Sequence, residues 1–147
     1  MNKTQIISVI NQKGGVGKTT TVINLAAGLV QENKKILVID LDPQGNATTG
    51  LGLSNLDNSS ETIYGVLNGT KNITEVIKKT QFENLELISS NVDLSGLEVE
   101  TAGDSKRAFI LKDQLMAYLK DSGAKYDYIL IDCPPSLSLL TVMALVS

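Results

Sequence analysis

Four short runs of the chain are apolar or nearly so: Ile6-Ile7-Ser8-Val9-Ile10, Ile36-Leu37-Val38-Ile39, Leu85-Glu86-Leu87-Ile88 and Tyr128-Ile129-Leu130-Ile131. Their length and their turn-forming or polar borders predict strands. The first, second and fourth lack the alternation of a half-exposed strand, as expected of parallel strands covered by helices on both faces. Between them the pattern changes to helical spacing. From Lys18 to about Gln31, Val22, Ile23, Ala26, Leu29 and Val30 form one apolar stripe, and Asn33-Lys34-Lys35 ends it. Shorter helices are predicted over 61–67 and 73–79. Ser105 is placed to cap a longer helix reaching about Lys120, with Ala108, Leu111, Leu115 and Leu119 toward a core and Gly123 as its stop. Strands alternating with helices predict an α/β fold: a doubly wound, mostly parallel sheet with helices on both faces and right-handed crossovers.

Two stretches interrupt this regular pattern. Residues 41–60 hold Pro43, Gly45, Gly50 and Gly52 among Asn and Ser, and read as a long loop leaving the carboxyl end of a strand, where ligands of open α/β sheets sit. The other is Gln12-Lys13-Gly14-Gly15-Val16-Gly17-Lys18-Thr19-Thr20, which joins the first strand to the first long helix. Glycines there let successive amides approach an anion, and the new helix aims its N-terminal dipole at the same point. In such a phosphate loop Lys18 reaches the β- and γ-phosphates and the Thr19 hydroxyl binds Mg2+.

Carboxylates follow two of the apolar runs. Asp40 and Asp42 flank Leu41, and residues two apart on an extended chain point the same way. Facing a phosphate loop, such a pair could hold the waters of Mg2+, orient Lys18 or position an attacking water. Asp132 ends the fourth run, the Walker-B pattern that sets a carboxylate beside Mg2+. Cys133 reads as a small buried neighbour of this site, because a nucleophilic thiol would need a base partner and the chain has no histidine.

The loop departs from G-x-x-x-x-G-K-[ST] at its first position, where Gln12 stands before Lys13, and fits K-G-G-x-G-K-[ST] instead. In this the chain resembles the ParA/MinD family of deviant Walker-A ATPases. Residues 11–20, 39–49 and 128–142 are most similar to the ParA branch, the chromosome- and plasmid-partition ATPases that include the Soj proteins. The run Asp42-Pro43-Gln44-Gly45-Asn46-Ala47-Thr48 carries the likeness, as does Asp132-Cys133-Pro134-Pro135-Ser136-Leu137 followed by Leu139-Leu140-Thr141. The resemblance implies a P-loop NTPase fold with ATP and Mg2+ as cofactors. It implies a nucleotide cradle of Lys13, Gly14, Gly15, Val16, Gly17, Lys18, Thr19 and Thr20, and a metal site of Thr19, Asp40 and Asp132. Lys13, Lys18 and Asp42 are the implied catalytic residues. Lys13 would reach the partner's nucleotide across a dimer interface, as an arginine finger does elsewhere. Asp42 would position water, and Asp40 would support the metal and Lys18. Gln44 and Asn46 fall in a first switch loop, and Pro134-Pro135 would stiffen a second. The implied partners are a second copy in an ATP-dependent homodimer, a ParB-like centromere-binding protein and non-specific DNA, with no membrane. The implied location is the cytoplasm, in association with the nucleoid.

Composition sharpens this picture. With 147 residues, 42% hydrophobic and 20% charged, the chain has the make-up of a globular domain. No histidine leaves chemistry to lysine, aspartate, backbone amides or a hard metal ion. A single cysteine, Cys133, excludes an intrachain disulfide, and nitrogenase iron proteins of the same family need two cysteines per subunit. The net charge of −3 is uneven: residues 1–50 carry five Lys against three acids, and 51–147 carry eight bases against thirteen acids. With Arg107 the only arginine, guanine reading by arginine clusters is unavailable to these residues. Family members are longer, and Thr141 to Ser147 reads as the apolar start of a helix without a cap. The expectation is therefore the N-terminal part of a single P-loop ATPase domain, with the DNA-binding surface in a C-terminal part outside the chain. The family's strand order would leave the first strand at an open edge. Two alternatives share the motifs: a MinD-type nucleotide-gated regulator without DNA binding, and a nucleotide-dependent small-molecule ligase.

Overall fold

Among the described residues, β1 (Gln5–Val9), β2 (Ile36–Asp40), β3 (Ile77–Lys79), β4 (Leu85–Ile88) and β5 (Tyr128–Asp132) form one sheet in the order β1-β5-β2-β4-β3. The structure is a computed structural model that describes residues 3–10, 16–53, 61–122, 125–135 and 138–147, with the backbone alone for 16–19. β1, β5, β2 and β4 run parallel, and β3 pairs antiparallel with β4. The order of the four sequence-predicted strands is the one the family resemblance implied, with β1 at the edge.

Strand alternation sorts the apolar side chains into two layers. Ile36, Val38, Leu85, Leu87 and Leu130 pack on one face against Val22 and Ala26 of α1 (Val16–Gln31) and Leu51. Leu37, Ile39, Ile88, Ile129 and Ile131 face the other way. They meet α3 (Ile63–Leu67), α4 (Ile73–Val76), α5 (Leu97–Glu100), α6 (Ile110–Ser122) and α7 (Leu139–Val146). Every residue of β2 is buried, so both faces contribute, at about 1.5–3 kcal/mol for each large side chain removed from water. This is a three-layer α/β domain.

Three expectations change. The helix over 73–79 stops at Val76, and Ile77–Lys79 becomes β3, because Ile77 and its two lysines pair with Ile88, Leu87 and Glu86 at the sheet margin. Ser105 is exposed and caps nothing; a 3-10 turn over Arg107–Phe109 leads into α6, whose Leu111, Leu115 and Tyr118 are buried. The expected stop at Gly123 lies outside the described residues. The loop over 41–60 contains a short helix, α2 (Asn46–Gly50), entered through Gly45 at φ 67° and ψ 29°. That left-handed conformation costs glycine little and other residues about 1–2 kcal/mol.

Candidate functional site

Three parallel strands end together. Val9 of β1 and Asp40 of β2 are both in register with Asp132 of β5, so two carboxylates stand side by side at the carboxyl edge of the sheet. The Leu41 amide donates to the Asp132 carbonyl at 2.8 Å, which carries the ladder one residue past Asp40. Beyond β1 the chain returns as α1 from Val16. The first amides of this 16-residue helix have no intrahelical acceptor and form the positive end of its dipole.

Asp40 and Asp132 are fully buried. The Asp40 Oδ1 accepts from the Asp42 amide at 3.1 Å, and its Oδ2 accepts from the Thr48 amide at 2.8 Å and the Thr48 hydroxyl at 2.7 Å. Burial pushes the Asp40 carboxyl up to about 7; the Thr48 and Asp42 donors hold it down, and the Asp132 charge adds to the rise. Two buried like charges on neighbouring strands are costly unless a cation offsets them. Among the described residues no group of three or more His, Cys, Asp or Glu could cage a metal ion. A pair of carboxylates suits Mg2+, which takes one or two protein carboxylates and keeps waters or substrate phosphates for its other positions.

Asp42 is 4% exposed and closes a turn. Its Oδ1 accepts from the Gln44 amide at 3.0 Å, and its carbonyl accepts from the Gly45 amide at 2.9 Å. The same carbonyl accepts from the Ser90 hydroxyl at 2.8 Å, while the Ser90 amide donates to the Thr48 hydroxyl at 3.1 Å. Gln44 and Asn46 are exposed beside this turn. Cys133 is buried behind the site, its amide donating to the Val9 carbonyl at 3.3 Å.

The structure thus brings Asp40, Asp42 and Asp132 to one edge. Gln12, Lys13, Gly14 and Gly15 lie outside the described residues, as do Ser136 and Leu137. Val16, Gly17, Lys18 and Thr19 form the opening of α1, with side chains outside the described residues; Thr20 is exposed on the same helix. Sequence reasoning missed Thr48 and Ser90. A signal existed in Ser89-Ser90-Asn91, three polar residues directly after an apolar strand, all of them buried.

A family profile described as an AAA domain matches residues 4–147. The chain belongs to this family. Similar curated proteins include the chromosome partitioning protein ParA of Myxococcus xanthus, 48% identical over 141 residues, covering 96% of this chain and 48% of that protein. The sporulation initiation inhibitor protein Soj of Bacillus subtilis is 46% identical, covering 96% of this chain and 54% of that protein. The chain is therefore ParA/Soj-like, and it spans about half the length of the curated relatives it matches. Among solved structures, cobyrinic acid a,c-diamide synthase from Mycobacterium smegmatis, with bound ATP analog and magnesium, superposes with a TM-score of 0.87 at 36% identity. That match covers 97% of this chain and 56% of that one. A putative plasmid partition protein from Borrelia burgdorferi B31 bound to AMPPNP gives a TM-score of 0.80 at 34% identity, over 98% of this chain and 58% of that one. The fold is that of a P-loop NTPase.

Proposed function

We propose that the chain is the N-terminal part of a Mg2+-dependent partition ATPase and carries its phosphate and metal machinery. The observation that carries this reading is the register of Asp40 with Asp132 at the carboxyl edge, where β1, the strand that precedes α1, also ends. In this reading the phosphate loop, Lys13 to Thr20, wraps the phosphates and Lys18 balances their charge. Thr19, Asp40 and Asp132 hold Mg2+, which supplies charge neutralisation at the phosphates. Asp42 orients water for in-line attack. Chemistry of this kind is mostly positioning and electrostatic stabilisation, so it needs no histidine. Lys13 serves the nucleotide of a second copy, which makes the active form an ATP-dependent dimer. DNA and a ParB-like protein are partners of the whole protein, and hydrolysis resets attachment to the nucleoid. Support comes from the relative and the neighbour named as partition proteins and from the neighbours solved with ATP analogues.

Phosphate release, measured on this chain and on the longer protein we assign it to, with and without double-stranded DNA, tests the reading. Lys18→Ala is expected to abolish nucleotide binding in calorimetry. Asp42→Ala is expected to keep binding and to lose turnover by 100-fold or more, on the order of removing one well-placed catalytic group. Normal turnover in Asp42→Ala overturns the catalytic assignment.

The 0.87 TM-score to a diamide synthase favours a second reading, a nucleotide-dependent small-molecule ligase. Hydrolysis that requires a small acceptor, and is indifferent to DNA, selects it.

A further inference from the structure

Asp40 and Asp42 are tied together through a part of the chain far from both. The Thr48 hydroxyl has one hydrogen to give and gives it to Asp40 Oδ2 at 2.7 Å, because the Ser90 amide, at 3.1 Å, occupies its acceptor side. The Thr48 amide reinforces the same carboxylate oxygen at 2.8 Å. From Ser90, the hydroxyl reaches back to the Asp42 carbonyl at 2.8 Å. Thr48 and Ser90 are both fully buried, so no bulk water competes for these bonds and each lost partner leaves an unmet polar group. The link spans the end of β2, the first turn of α2 and the segment after β4.

We propose that Thr48 is the positioning residue of the metal and water-orienting site, with Ser90 as its second anchor, so that the Asp40 carboxylate and the Asp42 turn are held in one fixed relation. This rests on the ATPase reading above. Without the Thr48 hydroxyl, Asp40 retains the Asp42 and Thr48 amides but loses its shortest donor, and the Ser90 amide loses its acceptor, so the carboxylate is no longer tied to the segment that holds the Asp42 carbonyl. Partners of this kind that hold a metal-binding carboxylate typically control about 10–100-fold in metal affinity or activity.

Thr48→Val keeps the shape and the backbone amide and removes only the hydroxyl. Two measurements are compared with the parent protein: Mn2+ binding in the presence of ATP, by electron paramagnetic resonance on this chain, and kcat and KM for Mg-ATP in the longer protein. The expected result is a loss of about tenfold or more in Mn2+ affinity and in kcat, with KM for the nucleotide within about threefold, because the phosphate loop is untouched. Thr48→Ser is expected to restore both. A folded Thr48→Val with unchanged Mn2+ affinity and unchanged kcat overturns the proposal while leaving the ATPase reading standing. A parent protein that binds no Mg-ATP removes that reading, and this proposal with it. Should Thr48→Val not fold, Ser90→Ala carries the test: a severalfold fall in kcat at constant KM supports the anchor, and no change refutes it.

Discussion

Asp40 sits where opposing forces meet: full burial and the neighbouring Asp132 penalise its charge, while three donors favour it. The balance leaves its carboxyl at about 7 in the folded chain against an ordinary 3.8. The folded protein therefore retains a proton that the unfolded chain releases between those values. Asp40's contribution to stability is complete below pH about 4 and is lost as pH rises to about 7. In metal-free buffer, the melting temperature of the parent protein relative to Asp40→Asn is expected to fall from pH 5 to pH 8. A rise over that interval would contradict the stated balance. The three aspartates were legible in the sequence because each closes or follows an apolar strand run. Thr48 and Ser90 were not, since their bonds join residues 8, 42 and 48 apart and only the fold brings those together.

At the scale of elements, packing decided what periodicity left open. α1 and α6 follow their apolar stripes, and Leu111 and Leu115 are wholly buried, as their spacing predicts. Leu115→Ala is expected to cost about 2–5 kcal/mol in denaturant unfolding, whereas Met116→Ala, one residue on and 44% exposed, should cost well under 1 kcal/mol. Equal effects would misplace the helix face. α2 escaped the sequence reading because it is five residues long in a stretch rich in Gly and Asn, too short to show a period. Its entry depends on Gly45 at φ 67°, so Gly45→Ala should destabilise by about 1–2 kcal/mol, and Gly45→Asn by less, since Asn tolerates the left-handed region. β3 was missed because three residues with two lysines read as a helix end, and its pairing with β4 is a contact with a later segment.

Across the whole molecule the two sheet edges differ. β3 is three residues long and carries Lys78 and Lys79, features that discourage further strand pairing. On the other side, β1 takes its described partners from β5 alone, with the Gln5 amide and the Val9 carbonyl both bonded toward that strand. Ile6 and Ser8 therefore turn their backbone groups to the open side. This chain is expected to self-associate through that edge as its concentration rises, read as growth in mass by light scattering. A monodisperse monomer at high concentration argues against it. No helix of the described residues is long and apolar enough to cross a membrane.

The sequence by itself determined the α/β class, the four principal strands, the two long helices and the three aspartates at the strand ends. These are properties of local pattern, since burial on both faces demands continuous apolar strands and a helix needs its stripe. Tertiary structure alone decided that Asp40 and Asp132 are neighbours, that Thr48 and Ser90 hold the carboxylate edge together, and that Ile77–Lys79 closes one side of the sheet as a strand. Those outcomes depend on which distant segments pair, and a hydrogen bond across 42 residues leaves no periodic trace in the chain that makes it.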